Sequence, residues 1–96
     1  MIVHIVMFKF KEEDKREHLL QTKEMLETLP EKIQELNAIE VGINFDESAR
    51  AFDLSLYSTF DTKEDLATYA VHPAHLQVVE FIKTVVSESK VVDYIN

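Results

Sequence analysis

The segment Tyr69-Ala-Val-His72-Pro73-Ala-His75 carries two of the chain's four histidines, three residues apart, with a tyrosine six residues ahead of the second. A neutral imidazole can take a proton at pH 7. A phenol can donate a hydrogen bond where negative charge develops. The residue before a proline is steered away from helical ψ, and proline suits the first position of a helix. One helix therefore ends near His72 and another opens at Pro73. His72 falls at the N-cap and His75 in the first turn, where the positive helix end disfavours imidazolium. A bend at this junction would bring Tyr69 and His75 together, and these two are the primary catalytic candidates. His75 would be a general base, with Tyr69 brought beside it.

His4 is the secondary candidate. It shares a strand face with Val6, Phe8 and Phe10, toward the helices, where it would line a pocket with His75 or serve as a hydrogen-bonded core residue. His18 reads as a solvated helix position. The junction has an equally concrete structural reading: His72 caps, Pro73 presets φ, His75 bonds a backbone carbonyl and Tyr69 packs with its hydroxyl at the surface. No metal or other cofactor is expected. The histidine spacing is not the i, i+4 pair of a helical zinc motif, and no carboxylate nearby completes a ligand set. Glu12-Glu13-Asp14 and Glu64-Asp65 read as helix starts. The single Gly42 cannot build a phosphate loop.

These side chains need elements to position them. Ile2 to Phe10 reads as a strand apolar on both faces, with Ile2, His4, Val6, Phe8 and Phe10 on one and Val3, Ile5, Met7 and Lys9 on the other. Asp14 or Glu13 opens a helix in which Leu19, Leu26, Leu29 and Ile33 recur at helical spacing beside Met25, and Pro30 ends or kinks it. Residues 37–45 form a second strand alternating through Ile39, Val41, Ile43 and Phe45. Residues 51–60 form a third, with Phe52, Leu54, Leu56 and Phe60 opposite Asp53, Ser55, Tyr57 and Thr59. Asp61 to Glu64 reads as a capping box opening the helix through Tyr69. Leu76, Val79, Phe81, Ile82 and Val86 supply the apolar contacts of the helix after Pro73, and residues 89–95 form the last strand. Asp93 and Tyr94 read as register and dimer contacts.

The order βαββαβ is a ferredoxin-like α+β arrangement: a four-stranded antiparallel sheet with helices on one face, in one domain over residues 1–96. The opposite face, through Val3, Ile5 and Met7, stays apolar and calls for a partner. The simplest is a second copy, sheet against sheet, in a two-fold homodimer.

Four stretches, "VHIVMFKFK", "STF", "YAVHPAH" and "VVDY", resemble the stress-responsive A/B barrel (Dabb) family over nearly the whole chain. The resemblance implies a dimeric α+β barrel built from ferredoxin-like subunits. It leaves activity open. Many bacterial members have no assigned reaction, whereas plant members include polyketide cyclases that use a Tyr and the second His of HPAH, here Tyr69 and His75. Two readings follow. One is a homodimeric structural or small-ligand-binding module, for an apolar or carbonyl ligand. The alternative is a cyclase-like enzyme closing a ring on a poly-β-keto chain.

Composition excludes other classes. A net charge of −8 without a Lys/Arg cluster is unsuited to nucleic acid or an anionic membrane surface. The chain has no cysteine, which removes disulfides, thiolate nucleophiles and Cys-ligated zinc. No apolar run reaches transmembrane length, and the apolar N-terminal stretch lacks a basic n-region, is interrupted by His4 and runs into charge at Lys9, so a cytoplasmic protein is expected.

Overall fold

The computed structural model describes residues 1–96. Strand β1 (Ile2–Phe10) leads into helices α1 (Lys15–Glu27) and α2 (Leu29–Lys32). Strands β2 (Ala38–Ile43) and β3 (Leu54–Phe60) follow, then α3 (Lys63–Val71), α4 (Pro73–Val85) and β4 (Val86–Ile95). The sheet order is β2-β3-β1-β4, all neighbours antiparallel. This is the expected ferredoxin-like subunit.

Register sorts the side chains into two faces. On one, Ile2, His4, Val6 and Phe8 of β1 stand opposite Phe60, Ser58, Leu56 and Leu54 of β3. Most of these apolar residues join Leu19, Leu26, Leu29, Ile33, Tyr69, Val78 and Val85 in one buried cluster between sheet and helices. Each large side chain fully buried there contributes about 1.5–3 kcal/mol. The other face carries Val3, Ile5 and Met7, flanked by Tyr57 of β3 and by Val92 and Tyr94 of β4. Val3 is buried but outside the main cluster, while Met7, Val92 and Tyr94 are exposed.

Several boundaries differ from the sequence expectation. Strand β2 stops at Ile43 because Asn44 turns the chain, its side chain accepting from the Asp46 N–H. Phe45 therefore leaves the core alternation and is 98% exposed. Strand β3 begins at Leu54, not Ala51. The Asp53 carboxylate accepts from the Phe10 N–H at 2.7 Å, so Asp53 ties the connection to β1. Pro30 lies in the first turn of α2, and the break falls at Thr28, whose hydroxyl donates to the Met25 carbonyl. In α4 the fully buried positions are Val78 and Val85, and Leu76 is 47% exposed. His18 is not simply solvated: its ring meets Phe81 edge-on, centroids 6.0 Å apart.

Candidate active site

The α3–α4 junction is built by two caps. Thr62 accepts from the Asp65 N–H at 3.0 Å and opens α3. The cap lies one residue later than the box expected from Asp61 and Glu64. His72 has extended backbone, φ −64 and ψ 136, as a residue before proline should. Its Nδ1 accepts from the Ala74 N–H at 3.0 Å, so His72 is the N-cap of α4 with Pro73 behind it. A cap of this kind contributes about 1 kcal/mol.

The resulting bend places His75 against the end of α3. His75 Nδ1 lies 3.0 Å from the Ala70 carbonyl oxygen. A carbonyl only accepts, so Nδ1 carries the proton, and in the neutral ring Nε2 is the free base. Burial is the leading cause that lowers the pKa of His75 below 6.5. The Ala70 hydrogen bond opposes it, and the nearby His4 and His72 add smaller lowering effects. The neutral state expected from the helix end thus arises chiefly from desolvation.

Tyr69 is not a surface phenol. It is 1% exposed, packed at 5.0 Å between ring centroids against Phe60 and at 4.3 Å against His75. The two site rings are tilted by 41°. No Tyr69–His75 hydrogen bond forms, and the phenol oxygen has no partner. The Ala70 carbonyl, not Tyr69, orients His75. Burial pushes the Tyr69 pKa from 10.0 to about 12, so the hydroxyl remains a donor at any ordinary pH.

His4 joins the group from the sheet. Its ring meets Tyr69 edge-on at 6.4 Å and Phe60 at 6.5 Å. Its backbone carbonyl accepts from the Ser58 hydroxyl. Its Nδ1 donates to Asp93 Oδ1, which leaves Nε2 away from the carboxylate. Asp93 is the member of this group that sequence reasoning assigned elsewhere, to register and dimer contact. The signal was present in β4: with Val92 and Tyr94 on the open face, alternation puts Asp93 on the helix face. Register then sets Asp93 directly opposite His4.

The arrangement is a buried donor, a neutral base and a carboxylate-held second imidazole with their rings in one cluster. No three His, Cys, Asp or Glu side chains converge as a metal-holding group. The largest cleft, about 690 Å³, lies elsewhere, between the start of α1 and the β2–β3 connection. Its lysines are already engaged: Lys15 with Glu12 and Asp53, Lys11 with the Thr84 carbonyl, Lys9 over the Phe52 ring. No helix is long and apolar enough to cross a membrane.

The Stress responsive A/B Barrel Domain family matches residues 2–96. A stress-response A/B barrel domain-containing protein of Arabidopsis thaliana is 34% identical over 96 residues, covering 99% of this chain and 36% of that protein. The chain thus spans about a third of the length of this curated relative. A dimeric protein of unknown function and ferredoxin-like fold from Bacteroides fragilis is 34% identical, covering 97% of this chain and 93% of its own, with a TM-score of 0.87. The hydroxynitrile lyase of Passiflora edulis is 20% identical at a TM-score of 0.87, covering 99% of this chain and 93% of that one, and shares the fold.

Proposed function

The chain belongs to the stress responsive A/B barrel family, and we propose that it is a homodimer that binds a small oxygen-bearing ligand at Tyr69, His75 and His4 and moves a proton beside its carbonyl. The buried, partnerless Tyr69 hydroxyl carries this reading. Leaving such a group unpaired costs about 1–3 kcal/mol, so the hydroxyl calls for a partner. An oxygen placed there would accept from Tyr69. His75 Nε2 would take the proton from the adjacent carbon, becoming imidazolium, while the electron pair moves onto the oxygen as an enolate. Tyr69 stabilises that charge. The enolate carbon then recovers a proton or attacks a second carbonyl, which is the ring closure of a cyclase. Asp93 and His4 act from the other side, the carboxylate holding the imidazole in one orientation.

The dimer rests on the open apolar face of β1 and β4 and on the dimeric state of the Bacteroides fragilis relative. Two sheets packed on these faces would close the α+β barrel.

The test is ring-proton NMR of the histidines in wild type and Tyr69→Phe, followed by deuterium exchange beside the carbonyl of a β-diketone. Coupled titration of His75 to Tyr69, with exchange lost in both Tyr69→Phe and His75→Ala, is the expected result. A His75 titrating near about 6.5, indifferent to Tyr69, together with no exchange, would leave the junction as a helix connection.

A further inference from the structure

The open face of the sheet differs from one edge to the other. Strand order and register fix which side chains stand there, because directly paired residues share a face. Along the β2 edge they are Ala38, Glu40 and Gly42. Along the β4 edge, in the same three rows, they are Tyr94, Val92 and Lys90. One edge is small and carries an acid. The other is large and carries a base, with Val92 58% exposed in the free subunit.

A hollow of about 350 Å³ marks the small edge, with Gly42 and Ser55 lining it between Met7, Phe45 and Phe52. Gly42 is the chain's single glycine. Its φ is not positive, and a methyl group added to it would meet nothing within 4 Å. Neither the local backbone nor its neighbours in the subunit require a glycine here, although glycine inside a strand costs about 0.5–1 kcal/mol. Such a position suits the close approach of another chain.

Two copies packed face to face share a two-fold axis that lies between the sheets. An axis across the strands sets Glu40 on the partner's Glu40 and Gly42 on the partner's Ala38. Like charges then meet, and small residues face small ones over an unfilled hollow. A diagonal axis, for sheets crossed at right angles, sets either Gly42 or Lys90 on its own copy and so repeats a hollow or a charge. An axis along the strands sets the large edge on the small one. Tyr94 then lies over the partner's Ala38, Val92 over the partner's Glu40 and Lys90 over the partner's Gly42. The Lys90 stem fills the hollow. Its ammonium can turn to the partner's Glu40, about 7 Å along the strand. Its contact with Glu88 in the free subunit, 3.5 Å at the surface, is weak enough to give up. This axis also brings together the two edge strands, β2 and β4, whose outer backbone groups are otherwise unpaired.

We infer that β4 of each subunit lies across the partner's β2, with Lys90 seated over the partner's Gly42 and paired with the partner's Glu40. The inference rests on the homodimer proposed above and adds its axis and its contacts.

Sedimentation equilibrium gives the dimer dissociation constant. Lys90→Glu and Glu40→Lys should each raise it about tenfold, because each turns two attractive contacts into repulsive ones. An equimolar mixture of the two variants should regain wild-type affinity, since every edge contact then joins opposite charges. With one variant isotopically labelled, native mass spectrometry should find mainly heterodimer. The chain has no cysteine of its own, so engineered thiols are unique. A short bismaleimide should join Val92→Cys subunits to Glu40→Cys subunits and leave Val92→Cys alone unlinked. Wild type that sediments as a monomer overturns the homodimer and this arrangement with it. A wild-type dimer indifferent to both charge changes, or a mixture no tighter than its parts, overturns the arrangement and leaves the homodimer standing. Linking of Val92→Cys to itself, or failure to link the mixed pair, does the same.

Discussion

The rings of Tyr69 and His75 lie 4.3 Å apart, and yet the phenol oxygen makes no hydrogen bond to the imidazole or to anything else. The imidazole is held instead by the Ala70 carbonyl. Contact without hydrogen bonding leaves a donor on one ring and an acceptor on its neighbour, the two groups that a ligand oxygen and an adjacent acidic C–H need.

Tyr69→Phe should not destabilise the fold. The ring contacts with Phe60 and His75 remain, and the unpaired buried hydroxyl disappears. Urea unfolding should show a gain of about 1 kcal/mol, while proton exchange on a diketone probe is lost. A loss of stability would mean that the hydroxyl has a partner in solution.

Acid should weaken the protein through His75. Its pKa in the folded state lies below the unfolded value of 6.5, so between the two the unfolded chain binds more protons and stability rises with pH. This contribution is full above about 6.5 and is lost as pH falls toward the folded value. Unfolding midpoints measured across that window should lose part of their slope in His75→Ala. Activity should hold across that window and fall only as pH passes below the folded value, because His75 must be neutral to act as a base.

Alkali should weaken it through Tyr69. The folded pKa is raised from 10.0 to about 12, so above 10.0 the unfolded chain releases a proton that the folded one keeps, and stability declines as pH rises. Tyr69→Phe should remove that part of the decline in unfolding curves taken above the lower value.

His72→Ala should cost about 1 kcal/mol by freeing the Ala74 N–H. Thr62→Ala should cost a similar amount at the start of α3. Both are read by urea unfolding, and neither residue should be needed for Tyr69 to sense ligand.

Ile5→Lys places a charge in the centre of the open sheet face, between Tyr57 and Val92. Sedimentation should report monomer or insoluble protein. A dimer of unchanged stability would put the interface elsewhere.

The strand and helix order, the two faces of β1 and the helix junction at His72-Pro73 were all legible in the amino-acid sequence. Each follows from local spacing or from proline's steric demand, and can be read without knowing what packs against what. Residue chemistry also singled out Tyr69, His75 and His4. Other features arise only when the elements come together. Asp93 meets His4 only because β4 pairs antiparallel to β1 in one register. Phe45 leaves the core because an Asn44 side chain satisfies the backbone and turns the chain before the alternation is complete. The Tyr69 hydroxyl is partnerless because Phe60, His75 and His4 arrive from a strand, a second helix and another strand, and together they shut out solvent without offering a hydrogen bond. Hydrogen-bond satisfaction of a buried group depends on every element around it, and no local pattern encodes that sum.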